Sequence, residues 1–184
     1  MKQRATLVLV PGIGDDYDIY QTFAKRWTSL GYDVYVISFE WIDRTASFTS
    51  KLEIFFGKLD ALQTQQIYLI GISAGGTAAV AALARRDDIA KVITICSPLM
   101  HMDNLDNPLL EEGIAQAEQY IKALDEDKRT RLMSAFGIYD QTVATRLSRP
   151  SGVKQHRIFM AFHAPTIFVA LTLQARSLAR FFRK

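Results

Sequence analysis

Several things are scarce or missing in this chain, and each absence narrows its chemistry. There is one cysteine in 184 residues, Cys96. An internal disulfide is therefore excluded, and a reducing compartment is expected, which points to the cytoplasm. No histidine–cysteine spacing matches a zinc site, so no metal is expected. No apolar run is long and unbroken enough for a bilayer span. The longest, residues 158–173, is interrupted by His163, Pro165, Thr166 and Thr172. The start, Met1-Lys2-Gln3-Arg4, leads into a short apolar strand without a small-residue cleavage site and does not read as a signal peptide. A large charge of one sign is also missing, since the net charge is +3. Arg176, Arg180, Arg183 and Lys184 gather near the C-terminus. They read as a solvated helix face with a favourable dipole term, and nucleic acid is not an expected partner. A dinucleotide fingerprint is incomplete: Gly12-Ile13-Gly14 follows a strand, but Tyr17 stands where a third glycine belongs. No cofactor is expected.

What is present is a regular alternation of apolar runs and helix-like stretches. Residues 5–10, 33–39, 66–71, 91–95, 133–139 and 157–162 read as strands. Several are continuously apolar, as strands covered on both faces are. Residues 17–30, 47–63, 73–85 and 166–183 read as helices between or after them. This alternation argues for a parallel α/β sheet in a single domain spanning 1–184. The segment 97–131 is longer than a plain crossover. It carries a helix-like run from Leu109 to about Leu124 and is either a small lid or the packing helix of its unit.

The most informative stretch is Gly71-Ile72-Ser73-Ala74-Gly75, between an apolar strand and a segment of small residues. A serine on a sharp strand-to-helix turn is held out of the sheet, and flanking glycines relieve the crowding. In an open α/β sheet, ligands bind beyond the carboxyl ends of the strands. Ser73, Asp140 and His163 each follow a strand, in that chain order. His101, after the fourth strand, is a rival to His163, and Asp103 and Asp106 are rivals to Asp140. His156 precedes the last predicted strand, at the opposite edge. Cys96 reads as a buried structural thiol. Phe48, Phe55, Phe56, Phe159 and Phe162 read as core, and Trp41 as a pocket wall. Asp15 and Asp16 read as ordinary helix N-terminal residues.

With these residues in place, the chain resembles the α/β-hydrolase superfamily, in particular its small members with a reduced sheet. The resemblance spans nearly the whole chain and implies a three-layer α/β/α sandwich with a mainly parallel sheet of about six strands. It implies Ser73 as nucleophile, His163 as the base that takes its proton, and Asp140 as the carboxylate that orients the imidazole. It assigns the oxyanion donors to the backbone of Ala74 and of Ile13, with Pro11 standing where relatives often carry histidine. The expected activity is hydrolysis of a small carboxylic ester or thioester through an acyl-enzyme. Acyl transfer, or ligand binding with little turnover, are the alternatives.

Overall fold

A computed structural model describes residues 4–14, 17–43, 45–103 and 105–183. Asp15, Asp16 and Lys184, weighed above, lie outside the described residues. The sheet has six strands, all parallel, in the order β2-β1-β3-β4-β5-β6. They are β1 (Ala5–Val10), β2 (Tyr32–Val36), β3 (Ile67–Ile72), β4 (Ile89–Ile95), β5 (Leu132–Tyr139) and β6 (Lys154–Ala161). The helices are α1 (Tyr17–Thr28), α2 (Phe48–Asp60), α3 (Gly75–Arg85), α4 (Pro108–Ala123), α5 (Glu126–Thr130), α6 (His163–Leu171) and α7 (Ala175–Arg183).

Alternate residues of each strand feed two cores, one on each face of the sheet. On one face Val8, Val10, Leu69 and Val92 pack against α2, α3 and α4 through Phe48, Leu52, Ala78 and Ile114. On the other, Leu7, Leu9, Ile70 and Ile93 pack against α1, α6 and α7 through Phe23, Trp27, Leu171, Leu178 and Phe182. The central strands are therefore apolar on both sides, which is why their sequences run without alternation. Helix α3 is buried along Gly75–Leu83, and its small residues let it lie close to the sheet.

Helix α4 packs down onto the first core. Leu109, Leu110, Ile114, Ala117 and Ile121 are buried there, and Asn107 caps the helix by accepting from the Leu110 N–H at 3.2 Å. Glu112 on α4 accepts a hydrogen bond from the backbone N–H of Phe48 at 2.8 Å, which ties α4 to the start of α2.

Four expectations are corrected. The stretch 166–183 is two helices, not one. Thr172 caps the end of α6 (φ −113°, ψ −75°), and Gln174 turns to bond His156 Nε2 at 2.8 Å. That break redirects α7 so that Phe181 and Phe182 reach the core. Next, β6 begins at Lys154, so His156 lies within it; the polar residues Lys154 and Gln155 hide the strand start although they pair with Met133 and Ser134. Third, β2 stops at Val36, because the chain turns through Glu40 at φ 59° and tucks Phe39 and Trp41 into the first core. Finally, Phe159 and Phe162 are 79% and 54% exposed. Strand β6 is an edge, and the β5–β6 link carries only a 3₁₀ turn, Thr145–Ser148. Ile158 and Met160 face the second core, so the pleat turns Phe159 to the uncovered side.

Candidate active site

The candidate residues stand at the carboxyl edge of the sheet, where loops after β1, β3, β5 and β6 converge. Backbone strain concentrates there. Among the described residues, the non-glycine positions with positive φ are Glu40, Gln63, Ser73, Cys96 and Phe162. All but Gln63 follow a strand at this edge. Such conformations cost about 1–3 kcal/mol each and persist only where the surroundings enforce them.

Ser73 has φ 51° and is pinned by its own N–H, which donates to Ile95 O at 2.8 Å. Behind it, Gly76 N–H and Thr77 N–H bond the Ser73 and Ala74 carbonyls at 3.0 Å each and start α3. The Ala74 N–H stands ahead of these turn bonds. The loop after β1 passes directly over this turn. A Cβ on Gly12 would lie 2.8 Å from Ser73 Cβ and 3.3 Å from Ala74 N. A Cβ on Gly75 would collide with the carbonyls of Val10 and Pro11. Glycine at both positions is what allows the loop and the turn to touch. Trp41 Nε1 donates to Pro11 O at 3.2 Å and braces the loop from behind. Trp41 is 1% exposed, so it is mainly a core residue, although a groove of about 420 Å³ runs past it along Gly12, Gly14, Ser38, Glu40, Ile42 and Asp43. Ile13 follows Gly12, and its side chain is half-exposed.

His163 opens α6 after Phe162, whose φ of 71° swings the chain off β6. Its backbone N–H donates to Gln141 Oε1 at 3.1 Å. Its ring bridges two partners: Nδ1 lies 2.7 Å from Asp140 Oδ2, and Nε2 lies 3.0 Å from Ser73 Oγ. An ionised carboxylate only accepts, so Nδ1 carries the proton and Nε2 is left to accept from the serine hydroxyl. Asp140 is 6% exposed. Its Oδ1 accepts from the N–H groups of Thr142 and Val143, both at 2.9 Å. Burial opposes ionisation of Asp140, but the His163 hydrogen bond and the Val143 and Thr142 N–H groups outweigh it. The carboxyl is held below its ordinary value.

The rivals lie elsewhere. His101 is largely exposed and pairs with Asp103 at 3.0 Å. Asp106 is exposed in the loop before α4. His156 bonds Gln174. Sequence reasoning missed Gln141 and the turn at Thr142–Val143. The signal for the turn was present, since an aspartate commonly bonds the backbone two residues on. It also missed how near Cys96 lies: its Sγ and the ligand atoms of Asp140 and His163 fall within 4.8 Å of one another. Burial, then the Asp140 charge, push the Cys96 thiol far up, so it is neutral. A metal here would have to strip that proton and break the Asp140–His163 bond, and the geometry suits proton transfer from Ser73 better than ligation.

A family model described as serine aminopeptidase, S33, matches residues 1–134. This covers Ser73 and ends before Asp140 and His163. No curated protein matches the chain. Among solved structures, it is similar to a monoacylglycerol lipase from Paleococcus ferrophilus (TM-score 0.70, 14% identity, 96% of this chain and 93% of that one). It is also similar to the esterase domain of a Rhodothermus marinus protein (0.70, 18%, 98% and 87%). Est1E from Butyrivibrio proteoclasticus is a third (0.71, 12%, 98% and 89%). At these identities the likeness is one of fold.

Proposed function

We propose that this chain, which belongs to the serine aminopeptidase S33 family and to the α/β-hydrolase superfamily, is a serine hydrolase that cleaves small carboxylic esters or thioesters. The observation that carries the reading is the unbroken hydrogen-bonded path from Ser73 Oγ through His163 to Asp140. A serine alcohol is a weak nucleophile, and Nε2 is placed to take its proton as it attacks the acyl carbon. The imidazolium that forms is stabilised by the buried Asp140 carboxylate, which also fixes the tautomer. The leaving group takes the proton from Nε2 as the tetrahedral intermediate collapses to an acyl-enzyme. Water then repeats the sequence with His163 as base. The backbone N–H of Ala74 and that of Ile13 are the proposed oxyanion donors. Gly12, held against Ser73 and Ala74, brings the first loop within reach of that role.

Exposed apolar side chains sit beside the proposed machinery: Ile13, Ile42, Tyr139 and Phe162 are 50–75% exposed. Tyr139 and Phe162 immediately precede Asp140 and His163 and meet edge to face at 5.8 Å. This rim suits an apolar acyl group. The family's description raises an aminopeptidase reading, which would require a carboxylate free to hold a substrate ammonium. Glu40 and Asp43 line the groove, but Lys58 pairs with Glu40 at 2.7 Å and Lys51 with Asp43 at 3.0 Å. Among the described residues the carboxylates that line the groove are thus already paired, which favours the ester reading.

Assaying p-nitrophenyl acetate, butyrate and octanoate against an aminoacyl p-nitroanilide tests this. Turnover of the esters, reduced about 10⁶-fold in kcat by Ser73→Ala, is expected. Preferential cleavage of the anilide, or ester turnover that survives Ser73→Ala, would contradict it.

A further inference from the structure

At the opposite edge of the sheet, where β4, β5 and β6 begin, lies an open cleft of about 770 Å³. That size is within the range of small-molecule sites, about 300–1,000 Å³. Lys91, Arg129, Arg131 and Lys154 line it, against the carboxylates of Glu126 and Asp127. Asp127 is taken by Arg131 at 2.9 Å. Arg129 spends one nitrogen on the carbonyls of Ile121 and Leu124, and its other terminal nitrogen reaches toward Gly152.

The two lysines are the informative pair. Both ammonium groups stand 5.3 Å from the centroid of one ring, that of Phe181. Lys91 also donates to Phe181 O at 3.0 Å. Among the described residues neither lysine has a carboxylate within ion-pair distance. Partial burial, then the charge of Lys154, lower the proton affinity of Lys91, so the fold holds two like charges together at a cost. The phenyl ring offsets part of the repulsion, because each cation meets its electron-rich face. Ample positive charge in a concave site with few compensating carboxylates is what a multiply charged anion requires.

We propose that this cleft binds a phosphate group, with Lys91 and Lys154 as its principal contacts and Arg129 and Arg131 as the surrounding wall. The site is separate from Ser73, which lies at the other end of the strands. A ligand here leaves the proposed acyl site uncovered. The phosphate could belong to a soluble phosphomonoester or to an anionic lipid headgroup.

Two experiments on the full chain distinguish these sources. Inorganic phosphate and pyrophosphate are titrated calorimetrically, with sodium acetate at matched ionic strength as control. Phosphatidylcholine vesicles with and without phosphatidic acid are used in co-sedimentation. Binding in the first arm alone identifies a soluble ligand. Binding to phosphatidic acid vesicles alone identifies a headgroup. In either case Lys154→Glu is expected to weaken binding by about tenfold or more, while turnover of a soluble ester stays at the wild-type level. Lys154 begins an edge strand and is exposed, so the variant is expected to fold, and Lys154→Gln serves as a milder second variant with a smaller loss. The proposal is overturned if neither arm binds. It is equally overturned if acetate binds as well as phosphate, or if both variants bind like wild type. None of these outcomes depends on whether Ser73 is a nucleophile.

Discussion

Ser73 occupies a conformation that L-residues avoid, at φ 51°, and a glycine would hold the same turn without that penalty. Ser73→Gly is therefore expected to raise stability by about 1 kcal/mol, or about 2–4 °C in Tm, while removing ester turnover. A Tm below wild type would show that the turn is not strained. Asp140→Asn is expected to lower kcat about 10⁴-fold, because an amide can donate to the imidazole and select the wrong tautomer. Its pH dependence has a defined sign. The folded carboxyl is held below its ordinary value. Its stabilising contribution is therefore complete above the unfolded value, about 3.9, and fades as pH falls through the lower folded value. Wild type should lose stability through that acid range more steeply than Asp140→Asn, as urea unfolding at stepped pH will show. At this scale much of the candidate site was legible. Ser73, Asp140 and His163 follow strands on one edge, and the structure brings them within hydrogen-bond distance. Gln141 was hidden because a glutamine side chain bonding one backbone N–H, 22 residues away, leaves no pattern in sequence.

At the scale of elements, the carboxyl edge depends on contacts between neighbours. The Glu112 carboxylate supplies an acceptor to the first N–H of α2. Glu112→Ala, which leaves the Ser47 cap in place, should cost about 1 kcal/mol for the lost hydrogen bond, read from the urea midpoint. Gly75→Ala is more severe, since its methyl group meets the Val10 and Pro11 carbonyls, which are backbone and cannot rotate away. Overpacking of this kind costs about 1–3 kcal/mol or more. A Tm drop with loss of ester turnover is expected, and an unchanged Tm would contradict the close approach. Strand β1 is bounded in the structure as its apolar run suggests, Ala5–Val10, because it is central and buried on both faces. Strand β6 is an edge, tolerates lysine and glutamine at its start, and so begins earlier than its apolar residues indicate. The break between α6 and α7 depends on a tertiary bond, Gln174 to His156, which helical periodicity does not report.

Across the whole molecule, two cores clamp one sheet, and the second depends on its last helix. Trp27, Tyr32, Tyr68 and Phe182 form a continuous aromatic group there. Phe182→Ala should cost about 3–5 kcal/mol, a loss readable from the denaturation midpoint. The proposed site opens at one edge of the sheet and the basic cleft at the other, so the two can be varied independently.

The most direct test of the central claim is treatment of folded protein with a fluorophosphonate, followed by mass-spectrometric mapping. The hydrogen-bonded path from Ser73 to Asp140 predicts a single adduct on Ser73, absent in Ser73→Ala and strongly slowed in His163→Ala. No adduct on folded wild type, or an adduct on another residue, would contradict it.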